Sequence, residues 1–140
     1  MQQRWSVETL PWAQFRPDLV EGDVLAVMKA AALVEHNSAE YARYLCEVFH
    51  DDPAMQHAAN EWAAEEVQHG LALAAWGRRA DPGFDFDRAH AAFHQTIRLP
   101  EGSAQSVRGS RLGELVARCT VEVGTSSFYA SFRDSVREPV

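Results

Sequence analysis

Long apolar runs are missing from this 140-residue chain, and no stretch approaches the roughly 20 residues that a membrane-spanning helix needs. An excess of positive charge is missing as well. With 13 Lys and Arg against 20 Asp and Glu, the net charge is −7, which argues against a nucleic-acid surface, since that needs a basic patch. Cysteine is scarce. Cys46 and Cys119 fall in different helical segments without a Cys-x-x-Cys spacing, so the expectation is two small, buried, reduced thiols. A disulfide would require the two helices to bring them together. No run of alternating β-branched residues suggests a strand, and there is no low-complexity segment. A Gly-rich phosphate loop, a Ser-His-Asp order and a nucleophile elbow are all absent. The opening residues, Met1 to Ser6, lack the charged-then-apolar order of a signal peptide, which makes a cytoplasmic location the expectation.

What the chain does have is helix-forming sequence, in a length that suits one domain with a sizeable core. Residues 1–22 carry Pro11, Pro17, Trp5, Trp12 and Phe15 and read as an N-terminal arm whose aromatics pack on the domain that follows. Residues 23–140 read as one helical domain. A first long helix is expected over 23–49, with Asp23 as its N-cap and Leu25, Met28, Ala32, Ala39, Ala42 and Leu45 near helical period. His50-Asp-Asp-Pro53 is a stop and restart, Asp52 capping a second helix that runs to about Arg79 with Pro53 in its first position. Residues 84–108 are too long for a hairpin turn and read as a crossover, with a short helix near Phe86–Ile97. A third long helix is expected from about Ser110 to Val136, with Leu112, Leu115, Val116, Cys119, Val123, Phe128 and Phe132 as its apolar residues. The fold class is all-α.

The second helix carries Glu66 and His69, a Glu-x-x-His pair in which positions i and i+3 share one helix face. A carboxylate and an imidazole so placed can bind one transition-metal ion, and the same unit is the half-site of di-metal carboxylate proteins built on helix bundles. If the first two helices form an antiparallel hairpin about Asp51, Glu35 lies 16 residues before the turn and Glu66 lies 15 after it. At about 1.5 Å per residue both sit roughly 23 Å from the turn, at the same height. Glu40 misses that height match. Glu122 stands in Cys-Thr-Val-Glu122-Val-Gly, the most apolar part of the third helix. An isolated carboxylate in a core is costly unless paired or metal-bound, so three mid-helix acids call for a common explanation. Tyr129, at i+7 from Glu122, faces the right way to hydrogen-bond toward such a site, whereas Tyr41 at i+6 from Glu35 is less well placed. His90 and His94 have a zinc-compatible i, i+4 spacing but no evident third ligand, and read as a surface pair. His36, His50 and His57 read as surface or turn residues.

The stretch from residue 23 onward resembles the ferritin-like superfamily, the group that includes rubrerythrins and soluble acyl-carrier-protein desaturases. The residues that carry the resemblance are Leu33-Val-Glu35-His with Tyr41, Trp62-Ala-Ala-Glu-Glu66-Val-Gln-His69-Gly70, and Glu122-Val-Gly-Thr-Ser-Ser-Phe-Tyr129. The resemblance implies a ferritin-like helical bundle: an up-down helix pair, a long crossover and a third long helix. It also implies Glu35, Glu66, His69 and Glu122 as metal ligands, with Glu65 as an acidic partner for a ligand histidine. The family has a fourth helix with a second Glu-x-x-His. Repeating the spacing between Glu35 and Glu66 puts that motif near position 153, and Glu122 is followed at i+3 by a Thr. The fourth helix is therefore expected to be absent from this chain. Truncation is the favoured explanation, with supply by another subunit and a degenerate site as the others.

The function this implies is oxidoreductase chemistry on dioxygen or peroxide at a di-iron site, with two ions in a complete site and manganese as the alternative metal. Iron oxidation and storage is a second expectation. A metal-free helical module that binds a partner is the third. Apolar stripes left open by a missing helix tend to be covered by association, so a homo-oligomer is expected, a dimer first, with neither nucleic acid nor membrane as a partner.

Overall fold

A computed structural model describes residues 5–140. Among these the chain is all-helical, with three short 3-10 turns in the arm followed by five α-helices. The helices are α1 (Gly22–His36), α2 (Ser38–Val48), α3 (Pro53–Ala80), α4 (Phe86–Thr96) and α5 (Arg111–Ser135). No helix among the described residues is long and apolar enough to cross a membrane.

The expected first helix is two helices. Asn37 interrupts it with φ −81° and ψ 0°, its N–H shared between the carbonyls of Leu33 and Val34, both at 3.2 Å. The Ser38 hydroxyl donates back to the Glu35 carbonyl at 2.5 Å. A Ser side chain competes with the helix for backbone groups, and here Ser38 tightens a single turn. Asp23 is not the cap either. The helix begins at Gly22 and Asp23 lies in its first turn, where an acid suits the helix dipole. The other starts follow the sequence more closely. Asp52 caps α3 by accepting from the Met55 N–H at 3.0 Å, with Pro53 next, and Ser110 caps α5 through the Gly113 N–H at 3.0 Å.

α1 and α2 run antiparallel to α3. Cys46 meets Gln56 near the turn, His36 meets Gly70 midway, and Lys29 meets Gly77 at the far end. The inner faces are rich in alanine, so the helices approach closely. Ala42, Leu45, Val48, Ala59 and Ala63 form one core cluster around Tyr44 and Phe49, and Ala32, Ala74 and Phe86 form another. At Gly70 the approach is closest, since a Cβ there would stand 2.5 Å from the His36 backbone nitrogen. α4 and the segment after it carry the chain back to the α2–α3 turn, where Arg111 bonds the Val48 carbonyl and Asp51. α5 then runs alongside, with Tyr129 reaching Glu35 and Arg137 reaching Glu21.

α5 is where the expected packing reverses. Its backbone keeps its distance from the other helices, whose close packing is α1 and α2 on α3. Contact is made by long polar side chains. Glu114, Arg118, Glu122, Thr125 and Tyr129, at steps of three and four, lie on the inward face, while Leu112 and Val123 are 70% and 68% exposed. Val116, Val121 and Phe128 are exposed too. Periodicity located the apolar stripe but not its direction. Glu114, fully buried, accepts from the hydroxyls of Tyr41 (2.8 Å), Tyr44 (2.5 Å) and Ser106 (2.8 Å). Burial alone would raise its pKa, and the hydroxyl bonds more than offset it, leaving the carboxyl below its ordinary value.

The arm packs as expected. Trp5 stacks on His69, Phe15 sets its edge on Trp76, and Arg79 lies over Trp12. Buried Glu138 ties the arm to the end of the described chain by accepting from the Arg16 N–H (3.0 Å) and Trp76 Nε1 (2.8 Å). Both cysteines are free, and Cys119, expected inside, is exposed because it sits on the outward face of α5. His36 is not a surface residue. It packs against Phe86 and His90 at the α1–α4 junction. His90 is half-buried and stacks on Phe86, whereas His94 stays exposed and bonds Asn37 Oδ1 at 3.2 Å, so only His94 is the surface residue expected.

Candidate metal centre

Glu35, Glu66 and His69 converge. One potential ligand atom from each lies within 4.8 Å of the others. Two helices position them: Glu35 stands on α1 two residues before the Asn37 break, and the Glu66–His69 pair stands on α3 just before Gly70, which packs against His36. The close approach at Gly70 brings the two backbones near enough for the side chains to meet. Glu40, by contrast, turns away and pairs with Arg43.

Hydrogen bonds fix each group. His69 Nδ1 lies 3.0 Å from Glu66 Oε2. Tyr129 donates its hydroxyl to Glu35 Oε1 at 2.5 Å. The Trp5 ring lies parallel to the His69 ring, 5.6 Å between centroids. Trp62, one turn before Glu66, has a buried Nε1 without a well-aligned hydrogen bond, and its N–H helps to lower the Glu66 pKa.

The two carboxylates divide their charge unequally. Burial, then the neighbouring Glu66, raises Glu35 to about 7. The His69 hydrogen bond holds Glu66 down at about 2, and the same bond raises His69. Burial and Glu35 also raise Tyr129. Near neutral pH Glu35 is therefore only partly ionised, and His69 holds its proton more tightly than a free imidazole does; a bound cation would compete with both protons. Two carboxylate oxygens and an imidazole nitrogen form a mixed donor set that suits iron or manganese, so the residues present fit a transition-metal ion.

The sign of the pH effect follows for the metal-free protein. Glu35 and His69 have raised pKa values, so their contributions to stability are full at low pH and are lost as the pH climbs, from about 4.5 through about 7 for Glu35 and above 6.5 for His69. Glu66 works oppositely, and its contribution disappears only as the pH falls from about 4.5 toward about 2. Thermal melts of chelator-treated protein are expected to peak near pH 5 and decline toward pH 8. Glu35→Gln should flatten that decline relative to wild type, and identical slopes in the two proteins would contradict the assignment.

The other sequence-derived residues are placed differently. Glu122 does not join the cluster. Its carboxylate lies 3.0 Å from Arg118 Nε, one turn earlier on α5, although both residues line the same cavity as Glu35, Glu66 and His69. Glu65 is exposed, in a surface hollow beside Trp5 and His69, and its charge adds slightly to the raising of His69. Tyr41, judged less well placed from spacing, lines the cavity and bonds Glu114. Sequence reasoning missed three contributors, Glu114, Arg118 and Gly70. The spacing Glu114, Arg118, Glu122, Thr125, Tyr129 was the available signal, a polar stripe that runs the length of α5.

The cavity measures about 400 Å³ and lies between α5 and the α1–α3 hairpin. A second hollow of about 280 Å³, roofed by Trp5, lies beyond Glu35, His69 and Tyr129, which form the wall between the two. Comparison with known proteins finds no matching family model, no matching curated protein and no matching solved structure. The site therefore rests on the geometry of these side chains.

Proposed function

We propose that the protein is a ferritin-like carboxylate protein that binds iron, or manganese, at Glu35, Glu66 and His69 and acts as an oxidoreductase. The single observation that carries the reading is the convergence of those three donors from two helices, which counting from the Asp51 turn anticipates. Antiparallel α1–α2 and α3, a long return through α4, and α5 alongside suit the order of a ferritin-like bundle. Glu122 completes the proposed ligand set by leaving Arg118. Iron held there would supply one-electron chemistry toward dioxygen or peroxide.

The chain's own groups have defined tasks. Glu66 and His69 offer a preformed pair, already aligned by their mutual hydrogen bond. Glu35 gives up its proton to bind, while Tyr129 fixes its orientation. Trp5 shields one face of His69 from water. Metal content by elemental mass spectrometry on protein loaded anaerobically with iron tests the reading. One to two ions per chain support it, and none would leave the helical-module reading.

The outward stripe of α5 favours association, and we place a second copy over it, giving a dimer. Leu112, Val116 and Val123 share one helix face and form an exposed apolar row, a surface that tends to be covered. Light scattering is expected to give twice the chain mass, and Val123→Lys should shift it toward one chain. A wild-type monomer at high concentration would contradict the dimer.

A further inference from the structure

We propose that the cavity beside the Glu35–Glu66–His69 cluster binds an apolar organic monocarboxylate, whose carboxylate is received by Arg118. That the bound acid is a substrate rests on the metal-site reading; that it binds does not.

Arg118 is the only lysine or arginine among the described residues that line the cavity. It is held rather than mobile, because its guanidinium lies 4.9 Å from the Trp62 ring centroid and 5.3 Å from that of Tyr41, and such stacking orders the group and strips water from its faces. Its Nε is buried yet makes no hydrogen bond. The Glu122 oxygen 3.0 Å away is near enough for an ion pair, but the N–H does not point at it. A buried donor left unsatisfied is costly, and a planar guanidinium is best satisfied by a carboxylate, which accepts two parallel hydrogen bonds.

The remaining wall sets the rest of the molecule. Val34, Phe93, Ile97, Leu99 and Val121 offer carbon to a ligand, so the body of the acid is hydrocarbon, aliphatic or aromatic. His69 already pairs with Glu66, so Arg118 is the one cation left to receive a ligand, and once Glu122 turns away it balances a single negative charge. A phosphate dianion would meet more repulsion than attraction there. Trp62 is four residues, about 6 Å, before Glu66 on α3, so an acid seated on Arg118 would lie alongside the carboxylate–imidazole cluster. Its arrival would displace Glu122 from the ion pair.

Calorimetric titration of the chelator-treated protein with benzoate and hexanoate, against benzamide and hexanol, tests this directly. Saturable binding of the acids is expected, with the neutral molecules at least about tenfold weaker, the factor that a charge-assisted hydrogen bond supplies. Arg118→Gln should reduce the acids to the level of the neutral molecules. Glu122→Gln removes the competing carboxylate and should tighten acid binding several-fold, a gain that damage to the fold would not produce. Equal binding of acid and neutral analogue, no acid binding by wild type, or indifference to both substitutions would overturn the proposal. Metal loading measured on the same preparations separates the two ideas. Protein that takes up iron but no acid retains the metal site and loses this inference, and protein that binds acid but no iron does the reverse.

Discussion

Glu66→Ala and His69→Ala are each expected to lower the affinity of the purified protein for iron(II) or manganese(II) by about 100-fold or more. The magnitude has a floor, because loss of a hydrogen-bonding partner behind a ligand alone costs 10- to 100-fold, and these substitutions remove donors themselves. The two variants should differ in stability. Glu66 carries charge that His69 neutralises across 3.0 Å, so His69→Ala leaves two carboxylates facing each other in the metal-free site, whereas Glu66→Ala relieves Glu35 of its neighbour and lets its pKa fall back. Metal-free Glu66→Ala should therefore retain stability better at pH 7 than His69→Ala. Isothermal titration with manganese(II) and thermal melts on the same samples read both effects. Unchanged affinity in either variant would remove that residue from the site.

Gly70→Ala is the second large effect, and it acts through the backbone. A Cβ at position 70 would stand 2.5 Å from the His36 nitrogen, 2.7 Å from its Cβ and 2.8 Å from its Cα. No flexible side-chain tip can move aside, so α1 and α3 must separate. Overpacking of this kind costs about 1–3 kcal/mol, and the upper end is expected because the opposing atoms are mostly backbone. His36 is adjacent to Glu35 and Gly70 is adjacent to His69, so the same separation pulls the donors apart. One methyl group should lower the thermal midpoint by several degrees and weaken metal binding although it touches no ligand. Gly124→Ala, mid-helix in α5 with open space around it, is the matched control; it should leave metal binding unchanged and hold or raise the midpoint, because alanine is the better helix former. A Gly70→Ala protein with wild-type stability would mean the helices do not meet as described.

The parts of this arrangement legible in sequence are those set by local rules. Asp52-Pro53 fixes the start of α3, and counting from that turn aligns Glu35 with Glu66 because an antiparallel helix hairpin has one rise per residue on both sides. The break at Asn37 was hidden, since Ala- and Leu-rich sequence on both sides sustains a helical period and only the Asn-Ser pair hints at a stop. The orientation of α5 was hidden for a deeper reason. Its stripes are both present in sequence, and tertiary partners decide which one faces inward. Tyr41 and Tyr44 supply hydroxyls to Glu114, and Glu35 supplies an acceptor to Tyr129, so the polar stripe finds its bonds inside and the apolar one is left out. Glu122 illustrates the same limit. Its mid-helix place in apolar sequence suggested a ligand, but Arg118 four residues earlier is an equally good partner for it.

The most direct measurement of the central claim is X-ray absorption at the iron edge on anaerobically loaded protein. A coordination shell of oxygen donors with one imidazole nitrogen, the imidazole scattering lost in His69→Ala, is the result expected of a centre held by Glu35, Glu66 and His69. A shell of oxygen alone, unchanged by His69→Ala, would place the iron elsewhere and contradict the account.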